Sequence, residues 1–191
     1  MYQPHPAIKH AKAMAQNLAA DTGRELTDWR ALVAAEAPND PKAWLKAEYG
    51  LGGATVGLIL DPYSADEDHY LEMAPKWVDA QYSGKMAALR PLYDAVEDLL
   101  LSISDEVQLC PTQTLVSAYH NKLFAQVKVA SQSAIDLGLA LGTAVPFGRR
   151  LEDTGGLARK DRITHKVRLT DVSQLDDELG QWLAQAFEFA R

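Results

Sequence analysis

Leu123-Phe124-Ala125-Gln126-Val127-Lys128-Val129 and, after a short polar turn, Ala134-Ile135-Asp136-Leu137-Gly138-Leu139-Ala140-Leu141 decide the fold. Both segments alternate with the period of two that a half-buried strand requires, and so short a connection makes them antiparallel neighbours. Working outward, Val107–Cys110 and Leu115–Tyr119 read as two earlier strands, the second joined to Leu123 through His120-Asn121-Lys122. Ile163, His165, Val167 and Leu169 alternate as a later one, all four expected on the core side. An amphipathic helix over Met86–Ile103 precedes the strands, with Leu89, Leu92, Val96, Leu99, Leu100 and Ile103 on its apolar stripe. A last helix, capped by Ser173, carries Leu175, Leu179, Trp182, Leu183, Ala186 and Phe187. Residues 81–191 are therefore expected to form an α+β domain, a helix, an antiparallel meander and a helix. Leu99, Val127, Leu137, Leu139, Val167, Trp182 and Leu183 are its expected core, with both helices on one sheet face.

Residues 1–80 read as a small helical domain. Ile8, Ala11, Ala15 and Leu18 have helical spacing; Thr27 is placed to cap a second helix with Trp29, Leu32 and Val33. Asp40-Pro41 combines an N-cap with a proline at the first helical position, and Gly50 is suited to end that helix in the left-handed region. A fourth helix through Val56, Leu58 and Ile59 stops at Asp61-Pro62, and Ser64 with Glu67 suggests a capping box for a fifth, which Pro75 should kink or split.

Composition narrows the classes. Apolar residues make up 47% of 191, enough for a packed core, and charge interrupts every apolar run too early for a membrane span. The first residues lack the basic start and apolar run of a secretory signal, and Cys110, the single cysteine, cannot form an intrachain disulfide. A reducing, cytoplasmic setting is expected. The net charge of −7 disfavours a general attraction to nucleic acid. Positive charge concentrates only at 149–168, where Arg149, Arg150, Arg159, Lys160, Arg162, Lys166 and Arg168 face three acidic residues.

Two sets of words resemble families of unknown function. Thr22-Gly23-Arg24-Glu25-Leu26-Thr27-Asp28-Trp29 and Trp44-Leu45-Lys46-Ala47-Glu48-Tyr49-Gly50-Leu51-Gly52 resemble the small helical bacterial family numbered 4287. Tyr82-Ser83-Gly84-Lys85, Leu89-Arg90-Pro91-Leu92-Tyr93, Asp136-Leu137-Gly138-Leu139 and His165-Lys166-Val167-Arg168-Leu169 resemble the family numbered 5655. The likeness implies a bacterial protein pairing the two domains and implies no activity. Domains similar to the second also follow nuclease-like domains in larger bacterial proteins, a nuclease segment that this sequence lacks.

Two surfaces invite a function. On the other face of the sheet, Gln126, Lys128, Asp136, Gly138, Lys166 and Arg168 mix both charges, and the small residues Ala134, Gly138, Ala140 and Gly142 would leave room above the strand for a small anionic or zwitterionic ligand. The mobile glycine- and arginine-rich loop Phe147–Asp161 would close on it. The candidate ligand set is Lys128, Asp136, His165, Lys166, Arg168 and Arg159; the plain alternative is a solvated face with cross-strand ion pairs such as Asp136 with Lys128. The second surface is the turn Gly50-Leu51-Gly52-Gly53, spaced like a helix-hairpin-helix tip whose backbone N–H groups hold a phosphate. With Arg149, Arg150 and Lys160 it defines a nucleic-acid alternative, although the tip has no basic residue and lies in an acidic half. Acidic residues around His69 are more simply explained as complementing a helix dipole than as metal ligands. No nucleophile elbow, HExxH helix or cysteine pair is present, and no cofactor or metal is expected. The leading expectation is a non-enzymatic binding or adaptor protein for a small anionic ligand or a partner segment; an enzyme built on Asp136, His165 and Arg168 is the remaining class.

Overall fold

The computed structural model describes residues 1–191 and is α+β, with two compact units, Pro4–Glu72 and Met1–Gln3 with Met73–Arg191. The division falls inside a helix, ahead of the 80/81 boundary expected from the helix and strand patterning.

The first unit is helical. Helices α1 (Pro6–Thr22), α2 (Leu26–Glu36), α3 (Pro41–Tyr49) and α4 (Gly53–Leu60) enclose Leu18, Trp29, Leu45, Val56, Leu58 and Ile59. Asp40 caps α3 through Ala43 N at 2.9 Å, and Gly50 ends it at φ 65°, a conformation that costs a residue with a Cβ but not glycine. Trp29 packs edge-on against Tyr49 at 5.0 Å and donates to Thr22 Oγ1 at 2.9 Å. Arg30 donates to the carbonyls of Leu58 and Asp61 at 3.1 and 2.9 Å, placing a cation at the negative end of α4.

Several caps differ from expectation. Helix α2 starts at Leu26, so Thr27 lies inside it and the extended Glu25 occupies the cap position. Ser64 donates to the carbonyls of Leu58 and Asp61 instead of forming a capping box. Asp66, accepting from His69 N at 2.9 Å, opens α5 (Glu67–Gln81). Pro75 lies within α5 without splitting it; having no N–H, it gives up one helical hydrogen bond, the one to the carbonyl of the exposed Leu71.

The expected helix over 86–103 is two elements, a 3-10 turn over Gly84–Leu89 and α6 (Arg90–Leu101), because Pro91 cannot donate into a preceding turn and suits a helix start. Strands β1 (Gln108–Pro111), β2 (Val116–Tyr119), β3 (Leu123–Ser131) and β4 (Ala134–Leu139) form the antiparallel meander. The next stretch carries β5 (Glu152–Asp153) and the short helix α7 (Gly156–Arg159), followed by β6 (His165–Leu169). Sheet order is β1-β2-β3-β4-β6-β5, with β6 antiparallel to both neighbours. Helix α8 (Asp177–Glu188) is capped by Asp176, which accepts from Leu179 N at 3.0 Å, whereas Ser173 belongs to a 3-10 turn.

One core joins α6, α8 and the inner sheet face: Val127, Leu137, Leu139, Val167 and Leu183 are buried in it, with Leu99 and Trp182 against its edge. The register sets the other face. Lys128, Asp136 and Arg168 lie in one row, and Gln126, Gly138, Lys166 and Glu152 in the next.

Candidate functional site

The sheet face is internally neutralised. Asp136 accepts from Arg168 Nε and Nη2 at 2.8 and 3.0 Å and from Lys166 Nζ at 3.2 Å; Lys166 also approaches Glu152 at 3.4 Å. Burial alone would raise the Asp136 pKa, but hydrogen bonds from the two cations outweigh it and hold it below the usual carboxylate value. The carboxylate turns to β6 rather than to Lys128, which faces it in register. The room expected above the strand is filled at Gly138, where the Ile163 side chain lies 2.6 Å from the position a Cβ would take. Ile163 is therefore on the polar face, not the core face.

The glycine- and arginine-rich loop is ordered by its own hydrogen bonds. Thr154 N donates to the Thr164 carbonyl at 3.1 Å and Thr154 Oγ1 to the Ile163 carbonyl at 2.8 Å, while Asp161 N closes on Gly156 O at 2.9 Å. Arg159 is consumed by Asp161 at 2.7 Å and by the Thr154 carbonyl at 3.0 Å, so it closes its own loop. Arg150 is held by Asp176 and Glu178 at 2.7 and 3.0 Å, and by the Gln174 carbonyl, pinning the loop to the start of α8.

Arg162 and Lys160 behave differently. Arg162 donates through Nε to Leu123 O at 2.9 Å and through Nη2 to Phe189 O at 2.8 Å; these neutral acceptors fix the guanidinium without cancelling its charge. Lys160 adopts φ 59° where α7 ends. Both line a cleft of about 540 Å³ together with Ala140–Ala144, Leu157, Asp161, Thr164 and Phe189. That size is within the range of about 300–1,000 Å³ common for small-molecule sites.

A hydrogen-bond chain fixes one wall of this cleft. Gly142 N donates to Thr164 Oγ1 at 2.9 Å, Thr164 Oγ1 lies 2.8 Å from His165 Nδ1, and His165 Nε2 lies 3.0 Å from the Val145 carbonyl. A carbonyl only accepts, so Nε2 carries the proton and Nδ1 accepts from the threonine hydroxyl. Burial holds the His165 pKa below its ordinary value, partly opposed by the bond to Val145, and favours this neutral form. His165 is fully buried on the core side and is a structural support, not part of the sheet face with Asp136.

The chain belongs to the DUF5655 family. The model of this domain of unknown function matches residues 78–190, which include the whole sheet, α6, α8 and every residue of the cleft. No curated protein and no solved structure matches the chain. Within the DUF5655 domain, the structure brings Asp136, Lys166 and Arg168 into contact, with Lys128 beside them in register, while Arg159 and His165 are engaged elsewhere. Of the nucleic-acid set, Arg150 is committed to α8 and Lys160 lies at the cleft. Gly50, Gly52 and Gly53 form the α3–α4 turn, where Gly52 is extended and its carbonyl accepts from Val56 N at 3.0 Å. Asp66, Glu67 and His69 are occupied by a cap, an ion pair with Lys12 at 2.7 Å and a ring stack on Tyr63. Sequence reasoning missed Arg162 as a cleft residue, and with it Gly142, Thr164, Leu157 and Phe189. They come from three separated segments, and only the concentration of basic residues at 149–168 pointed toward them.

Proposed function

We propose that the protein is a non-enzymatic binding module and that its DUF5655 domain holds a small anionic ligand in the cleft between the Ala140–Ala144 segment, α7 and the end of α8. The observation that carries this reading is the distribution of paired charge. Arg150, Arg159, Lys166 and Arg168 each contact a carboxylate, whereas Arg162 is oriented by carbonyls alone and shares the cleft with Lys160. Asp161 also lines the cleft, but its carboxylate is already bonded to Arg159. A rigid cation beside an apolar floor is the arrangement that binds an anion without a large ordering cost. The sheet face is the weaker site, since an anion there would have to displace Asp136 from Arg168.

The residues 4–72 are proposed to be the 4287-like helical companion, on the likeness at Thr22–Trp29 and Trp44–Gly52, in a bacterial, cytosolic protein. No helix of the chain is long and apolar enough to cross a membrane.

The test is a thermal-shift screen of small anions on the wild type, Lys160→Asn and Arg168→Ala. Asparagine tolerates the left-handed backbone at 160 and removes the charge. Shifts that are lost in Lys160→Asn and kept in Arg168→Ala support the cleft. The opposite pattern returns the site to the sheet face, and no shift with any anion rejects the ligand reading in favour of a protein partner.

A further inference from the structure

The cleft's rim is charged, but much of its lining is apolar. Leu157 and Phe189 stay 38% and 41% exposed, placing them among the few large hydrophobic side chains the molecule leaves in water, and both border this one cleft with Ala140, Leu141 and Ala144. A bare inorganic anion would engage the rim and leave both side chains wet. A ligand with an apolar body would cover them while its head met the cations, so the apolar lining selects for amphiphiles.

The charge pattern narrows the head group. Arg162 has committed Nε and one Nη2 donor to Leu123 and Phe189, leaving its remaining N–H groups for a ligand, and Lys160 adds one flexible ammonium. Asp161 stands in the same lining, and although bonded to Arg159 it raises the cost of bringing in a dianion more than that of a monoanion. Phe189 and Arg162 are also coupled, because a carbonyl that orients the guanidinium belongs to a residue of the cleft lining.

Resting on the anion-binding reading above, we infer that the ligand is a monocarboxylate with an aromatic or branched aliphatic body, its carboxylate toward Arg162 and Lys160 and its body against Leu157 and Phe189. The same head and body occur in a free acid and at a peptide chain end with an apolar last residue.

The full chain would be titrated by calorimetry with 3-phenylpropionate, 4-methylpentanoate, acetate, 3-phenylpropionamide and inorganic phosphate. 3-Phenylpropionate should bind at least about tenfold more tightly than acetate and than its amide, about what one charge-assisted contact or one covered apolar group is worth. Lys160→Asn should lower its affinity by at least about fivefold while leaving the unfolding midpoint near that of the wild type. Leu157→Ala should weaken 3-phenylpropionate by about threefold or more without changing acetate. A tripeptide ending in free phenylalanine and its C-terminal amide would run beside them; a free-ended peptide that outcompetes 3-phenylpropionate supports the same recognition and names a chain end as its source. Phosphate binding as tightly as 3-phenylpropionate, or amide and acid binding equally, overturns this inference while leaving a binding cleft in place. No binding of any probe overturns both.

Discussion

Ile163 Cγ2 lies 2.6 Å from the position a Cβ on Gly138 would take. Gly138 is in the middle of β4, flanked in register by Gln126 and Lys166, and its missing side chain is what allows Ile163 to lie on the sheet. Ile163 cannot yield easily, because its side chain is β-branched and its carbonyl accepts from Thr154 Oγ1 at 2.8 Å. Gly138→Ala is therefore expected to destabilise the protein by about 1–3 kcal/mol, the usual cost of overpacking. Urea unfolding measures it, and Ile163→Ala in the same chain should recover part of the loss. Additive effects of the two substitutions would mean that the contact does not couple them.

The contact also marks where the sequence stops being legible. Period-two alternation located five strands and the face carrying Asp136, Lys166 and Arg168, because alternation is a direct consequence of strand geometry. Extended through 163, the same alternation places Ile163 in the core. Instead β6 begins only at His165, Thr164 and His165 are both buried, and Ile163 just before them lies over Gly138 on the polar face. Caps failed for a related reason. Asp66 and Asp176 do what Ser64 and Ser173 were expected to do, and neighbouring cap residues cannot be ranked before the helix start is known. The cleft was not legible because its residues come together only once β4, the 152–163 segment and the end of α8 are assembled.

Leu183→Ala should cost about 2–5 kcal/mol. Leu183 has no exposed surface and lies in the core that also holds Val127, Leu137 and Val167. Thermal or denaturant unfolding checks it; a loss of a few tenths would mean that α8 is peripheral to the sheet.

Asp136→Asn should cost about 1 kcal/mol at neutral pH, the upper end for exposed pairs, because the acceptor is mostly buried and bidentate while its partners keep contact with water. The Asp136 pKa is held below its ordinary 3.8 in the folded state, so this stabilisation is complete above that value and is lost as pH falls through the folded pKa. Wild type and variant should converge in acid. A gap that persists unchanged at about pH 2, well below the ordinary carboxylate range of about 4, would assign the loss to packing rather than charge.

His165 predicts a pH dependence of the opposite origin. Its pKa is lowered from 6.5, first by burial, against the opposing pull of its bond to Val145. Above 6.5 both folded and unfolded chains hold the ring neutral and the contribution is complete. Below it the unfolded chain takes up a proton that the folded chain resists, so stability falls as pH drops, by at most about 1.4 kcal/mol per pH unit from this one group. His5, whose pKa burial also lowers, adds a slope of the same sign, so the informative quantity is the difference between wild type and His165→Gln. Glutamine can still donate to the Val145 carbonyl but does not titrate. Unfolding midpoints from about pH 7.5 to about pH 5 should therefore fall more steeply in the wild type than in the variant. The cleft wall should feel the same proton. A protonated ring carries hydrogen on Nδ1, so the Thr164 hydroxyl hydrogen must turn away from it and Thr164 Oγ1 then accepts from both Nδ1 and Gly142 N. Equal pH slopes in the two proteins, or a ring that titrates at its ordinary value by NMR in the folded chain, would show that His165 is not held neutral by its burial.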